Sequence, residues 1–137
     1  MKPLPLRVTE AFAALDADVM RLYEMSDLRG VRDHHLALTR LLADFPDMMK
    51  AARHAELSSH AIRRWEQATR LLDHKATGMT VKEAEEESRL DVKKQFLKEI
   101  DDDANMVGLE TLMRALLEKI RFVEAIANDI KHFSKHQ

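Results

Sequence analysis

Between Asp47 and Ala76 the positions Met48, Ala51, Ala55, Ser58, Ile62, Trp65, Thr69, Leu72 and Ala76 recur at alternating steps of three and four. That spacing keeps one apolar and small-residue stripe on a single helix face, as a coiled-coil seam requires. It predicts one long helix over about 47–76 whose stripe meets a partner helix. Lys75-Ala76-Thr77-Gly78 ends the pattern, with Gly78 suited to the left-handed conformation that terminates a helix. Thr80 and Glu83 then have the spacing of a capping box, in which Thr80 accepts an amide hydrogen bond and Glu83 reaches back. A second pattern follows through Val92, Phe96, Ile100, Ala104 and Val107, then Leu109, Leu112, Leu116, Ile120, Val123, Ile126, Ile130 and Phe133. Two forms fit it. One is a continuous helix over 81–133; the other breaks near 101–108, where Asp101-Asp102-Asp103 competes for backbone hydrogen bonds and Gly108 adds entropy.

Upstream, Thr9 is placed to cap a first helix with Phe12, Leu15, Val19, Leu22 and Met25 on its apolar side. This helix is expected to stop near Leu28 to Gly30. A shorter one follows over about 32–44, with Leu36, Leu38, Leu41 and Leu42 apolar. Pro46 suits the first turn of the next helix, and Phe45 before it is expected to be non-helical and to act as a hydrophobic staple. The expected fold is all-α: a long antiparallel helical hairpin (46–133) with shorter N-terminal helices (9–44), in a single domain with helical-bundle or coiled-coil-like packing.

Composition agrees. Three Gly and three Pro in 137 residues leave helix formers dominant, and an apolar content of 45% argues against wholesale disorder. The absence of cysteine excludes disulfides and thiolate zinc sites. No apolar run has the length of a signal peptide or a membrane span, so a cytoplasmic protein without membrane partners is expected.

The net charge of −2 conceals an asymmetry. Residues 80–103 hold nine acids, centred on Glu83, Glu85, Glu86, Glu87 and Asp101, Asp102, Asp103, against five bases. Residues 47–76 hold six Lys or Arg against four acids. The two arms suit mutual attraction within a hairpin or between two chains, where exposed pairs worth about 0.2–1 kcal/mol each set register more than stability.

An assembly role follows from the stripe. Ala51, Ala55 and Ser58 allow close helix approach, while Ser58 and Thr69 interrupt the apolar run and restrict register. Ile62, Trp65, Leu72, Leu112, Leu116 and Ile120 are the expected anchors of a homodimer, a higher homo-oligomer or a complex with a protein partner. An ordinary intramolecular core explains the same residues. Trp65 and Tyr23 are single, which leaves few aromatics for a stacking platform, and the eight Met residues suit core filling or an adaptable surface.

The most suggestive chemical spacing is Glu83-x-x-Glu86 with Glu99-x-x-Asp102, acids one turn apart that can share Mg²⁺. This resembles the carboxylate pattern of the MazG-like nucleoside triphosphate pyrophosphohydrolases over about twenty residues. The resemblance implies a helical, magnesium-dependent nucleotide hydrolase with those four residues as metal ligands. Residues 83–102 lack an obvious turn to bring the pairs face to face, and a solvated acidic helix face is the favoured account of them. Among histidines, His34, His35, His54, His60 and His74 lack the spacing of a zinc or di-iron motif, and Asp129, His132 and His136 form the best local metal candidate. Neither Gly30 nor Gly78 belongs to a phosphate-binding loop, and no nucleophile–base–acid set stands out.

Arg53, Arg63, Arg64, Arg70 and Lys75 are a candidate phosphate-binding face, an arrangement that resembles small helical recombination mediators that organise a single strand. The acidic second arm counts against it. The sequence therefore favours a non-enzymatic assembly protein without cofactors, with a nucleic-acid accessory and a nucleotide hydrolase as alternatives.

Overall fold

The computed structural model describes residues 2–135, and every regular element among them is a helix. α1 spans Leu4–Glu24, α2 Leu28–Ala43, α3 Phe45–Ala76, α4 Val81–Asp91 and α5 Lys93–Lys135. The all-α expectation and the antiparallel hairpin are both realised. The residues form two compact units: one takes those up to Asp47 and those from Leu109 onward, and the other is Met48–Gly108.

The first unit is a three-helix bundle with an apolar centre. Val8, Leu15 and Leu22 of α1 are buried at seven-residue steps, as are Val31 and Leu38 of α2 with Phe45, and Leu109, Leu116, Val123 and Ile130 of α5. That spacing returns each side chain to the same helix face. Arg7 pairs with Asp44 at 2.9 Å and Asp18 with His34 at 2.8 Å, which aligns α1 and α2 antiparallel. Lys119 pairs with Asp16 at 3.0 Å and the Tyr23 hydroxyl donates to Asp129 at 3.1 Å, which runs α5 parallel to α1. Burial and the Asp129 carboxylate push the Tyr23 phenol up.

Local chemistry moves several expected boundaries. α1 begins at Leu4 because Pro3 and Pro5 fit its start; Thr9 lies inside the helix and donates to the Pro5 carbonyl at 2.9 Å instead of capping. The helix stops at Glu24, ahead of Gly30, because Ser26 takes the left-handed conformation (φ +47°). The Ser26 and Asp27 amides then bond back to the Tyr23 and Leu22 carbonyls, the closing pattern glycine usually supplies. Gly30 lies in the first turn of α2, where its amide donates to the Asp27 cap at 2.9 Å. That hydrogen bond and Arg21 hold the Asp27 carboxyl below its usual range. Phe45 opens α3 as a helical, fully buried residue, since Asp44 joins α2 to α3 in a right-handed helical conformation.

The end of α3 follows expectation. Gly78 has φ +95°, Met79 bonds to the His74 carbonyl, and Thr80 accepts from the Glu83 amide at 3.3 Å, the first half of the capping box. The second arm matches neither expected form: it breaks at Val92 and runs unbroken through 101–108. One turn before the break, buried Ser88 donates to the Glu85 carbonyl at 2.9 Å, a local bond that competes with the helical ladder and bends helices.

Two glycines separate helix propensity from packing. A Cβ at Gly30 would stand 2.6 Å from Asp27 Oδ2 and 2.7 Å from Leu22 Cδ2, whereas one at Gly108 meets nothing within 4 Å. In urea denaturation, Gly108→Ala stabilises by about 0.5–1 kcal/mol. Gly30→Ala destabilises by about 1–3 kcal/mol despite the same gain in propensity. Equal shifts for the two would show that the Asp27 corner yields freely.

Candidate assembly surface and the polar hairpin interior

The 48–108 unit is a hairpin of α3 against α4 and the first part of α5, and its inward faces are largely polar. Ser59 donates to Asp102, and His60 places Nδ1 against Glu99 and Nε2 against Asp103 at 3.1 Å. Arg63 grips Glu99 through Nε and Nη2 and Gln67 through Nη1 at 3.0 Å. Gln95 donates to Glu66, and His74 meets Asp91 at 2.6 Å. These contacts step down one helix as they step up the other, which fixes the antiparallel register. Glu99 is the hub: it is only 5% exposed and is held by both Arg63 and His60. The Ser59 hydroxyl and then Lys98 hold the Asp102 carboxyl below its usual range.

The apolar stripe read as the seam lies elsewhere. Trp65 is 70% exposed, Leu72 66% and Ile62 50%, and Ala51, Thr69 and Ala76 are exposed with them. The face α3 turns inward instead carries Ala52, Ser59, Arg63, Glu66 and His74. The second arm behaves alike. Ala84, Ser88, Val92, Glu99 and Met106 are buried, whereas Leu90, Phe96, Leu97, Ile100 and Val107 are about half exposed or more. The hairpin thus turns Glu99 and its partners inward beside Ala52, Ala84, Val92 and Met106, and most of its large apolar side chains outward. Of the other expected anchors, Leu112 is half-buried, and Leu116 (0% exposed) and Ile120 are buried in the first unit's centre.

The basic face is divided. Arg63 serves Glu99, and Arg53 pairs with Glu56 at 2.6 Å, so neither presents an open charge. Arg64, Arg70 and Lys75 are exposed and make no ion pair among the described residues. Sequence spacing missed Arg89 and Lys93, which join Arg63 and Arg64 around one groove between α3 and the α4–α5 joint. Only the hairpin register brings these four cations together.

The hydrolase pattern is likewise split. Glu99 and Asp102 are bound to α3 residues, while Glu83 and Glu86 are exposed on α4. Asp129 accepts from Tyr23, and His136 lies outside the described residues. Among the described residues no group of three or more His, Asp or Glu is placed to hold a metal ion. No helix among them is long and apolar enough to cross a membrane. Comparison with known proteins finds no matching family model, no matching curated protein and no matching solved structure.

Removing one partner of a buried ion pair strands the other, at a cost of about 3–5 kcal/mol. Glu99→Ala is expected to destabilise the chain by that amount in urea denaturation. Replacing Glu99, Arg63 and His60 together by Leu recovers most of it, because no uncompensated charge remains. A single-variant cost below about 1 kcal/mol would show that solvent screens the hub.

Acid tests the neighbouring contact. Because its folded-state pKa is depressed, ionised Asp102 contributes stability above the ordinary carboxylate range, and this is lost as pH falls through the lowered value. The stability gap between wild type and Asp102→Asn therefore narrows from pH 7 toward pH 3. A gap independent of pH would remove the charge from the account.

Proposed function

We propose that the chain is a non-enzymatic, cytoplasmic helical assembly protein that self-associates through the outward apolar residues of its 48–108 hairpin. The observation that carries this reading is the exposure of Ile62, Trp65 and Leu72 on α3, with Leu97, Ile100 and Val107 on α5, while the inward positions go to small residues, Val92, Met106 and the Glu99 ion pairs. Apolar surface on this scale marks an interaction face. Burial of one fully exposed large apolar side chain contributes about 1.5–3 kcal/mol, so many such residues acting together are needed to offset the cost of association. A complex with a different protein would use the same residues.

The capture of Glu99 by Arg63 and His60 supports the non-enzymatic part, since a metal-binding carboxylate needs its oxygens available. Internal neutralisation of Arg53 and Arg63 weighs against an extended phosphate-binding face on α3.

Trp65 is the single tryptophan, so its emission reports burial of this face directly. Sedimentation equilibrium should show mass rising with concentration, and the emission should shift to the blue over the same range. Trp65→Ala should raise the dissociation constant by roughly 30- to 1000-fold, corresponding to about 2–4 kcal/mol for a central aromatic anchor. Wild-type protein that stays monomeric with a solvent-exposed tryptophan at every concentration would sink self-association.

A further inference from the structure

The groove between α3 and the α4–α5 joint has a rim and a floor of different character. Arg64, Arg89 and Lys93 stand on the rim, exposed and without an ion pair among the described residues. Between them the lining is mixed: Ala68 and Leu71 of α3, buried Val92 and half-exposed Phe96 are apolar, Gln67 and buried Ser88 are polar, and Glu85 is the one carboxylate. An occupant that matches both must carry acids around an apolar centre.

α4 carries such a face. At about 100° per residue, Glu83, Glu86, Glu87 and Leu90 fall on one side of the helix, at steps of three, one and three. All four are exposed, and the three glutamates form no ion pair among the described residues. The basic arm of α3 does not neutralise them within the hairpin, although the two arms are opposite in charge. Glu85 and Arg89, which line the groove, lie on a different side of α4.

Resting on the assembly reading above, we propose that the groove receives the Glu83–Glu86–Glu87–Leu90 face of a second copy of this chain. Leu90 enters the floor beside Phe96, and the three glutamates meet Arg64, Arg89 and Lys93. Both halves of the contact are present on every copy. Groove and acidic face lie on different sides of α4, so a single copy offers one to each of two neighbours, and the contact is head-to-tail. Self-recognition by charge also explains how a chain of small net charge avoids indiscriminate association through its exposed apolar residues.

Two triple variants test this. One reverses the groove (Arg64→Glu, Arg89→Glu, Lys93→Glu) and the other reverses the acidic face (Glu83→Lys, Glu86→Lys, Glu87→Lys). All six positions are exposed, and circular dichroism with urea denaturation checks that both variants fold. Each variant alone should associate about 100-fold or more weakly than wild type, because like charges then face each other. An equimolar mixture should regain the wild-type mass, since each reversed surface meets its complement. Raising the salt concentration should weaken wild-type association.

Wild-type mass for either single variant would overturn the charge-matched contact while leaving self-association through Trp65 and Leu72 in place. A wild-type monomer would instead remove the assembly reading itself. A labelled oligothymidine strand is the remaining arm. If groove reversal abolishes strand binding and leaves the mass unchanged, the groove belongs to nucleic acid and the proposal fails.

Discussion

The constraint on which the rest depends is that a helix has one inward face, and in the 48–108 unit small and polar residues with the Glu99 ion pairs take much of it. Glu99 between Arg63 and His60, and Asp102 on Ser59, leave little room inside for Ile62, Trp65, Leu72 or Phe96. Those residues therefore face outward because the register is set by something else. The first unit shows the opposite case. There Leu15, Leu22, Leu38, Leu116 and Val123 take the inward positions, and ion pairs such as Arg21 with Asp18 stay at the periphery.

This inversion explains what the sequence disclosed and what it withheld. Hydrophobic periodicity located long helices, Gly78 located their turn, and the helical class followed. The same periodicity picked out the Trp65 stripe of α3 without saying which helix it meets, and within the hairpin a different face of α3 turns inward. A second signal was present in the spacing. Phe45, Ala52 and Ser59 lie seven apart along α3 and are all buried. Extending that spacing from Phe45 marks Ala52 and Ser59 as inward despite their size and polarity. Nothing local marked Ser26 as the left-handed residue, since glycine is the ordinary occupant and Gly30 lies four residues on. The cationic groove was illegible for a different reason: Arg64 is separated in sequence from Arg89 and Lys93, and only the paired arms bring them to one rim.

A polar interior is an expensive way to hold two helices together. Desolvating a carboxylate and a guanidinium costs several kcal/mol, which their attraction offsets only when the geometry is good. What such a network supplies is register. Apolar side chains tolerate a slip of one turn, whereas Glu99 must meet both His60 and Arg63, and Asp102 must meet Ser59. Gln95 shows the cost within the same network: it donates to Glu66, but its own Oε1 is buried without a donor among the described residues. A buried acceptor left in that state costs about 1–3 kcal/mol.

Under the proposed assembly, specificity inside and affinity outside are divided between two sets of residues. If the hairpin's apolar side chains were its own core, the isolated unit would gain stability and lose its means of association. With the ions inside, the unit holds a defined surface but gains little from apolar burial until that surface is covered. Anything that binds the folded form and not the unfolded one stabilises it by mass action, so the proposed assembly would feed back on hairpin stability. The coupling runs through the helices themselves: Trp65 lies two residues from Arg63, and Ile100 one residue from Glu99. Fixing the outward stripe in an interface therefore fixes the backbone that presents the ion network, and a slip in that network would rotate the stripe out of reach.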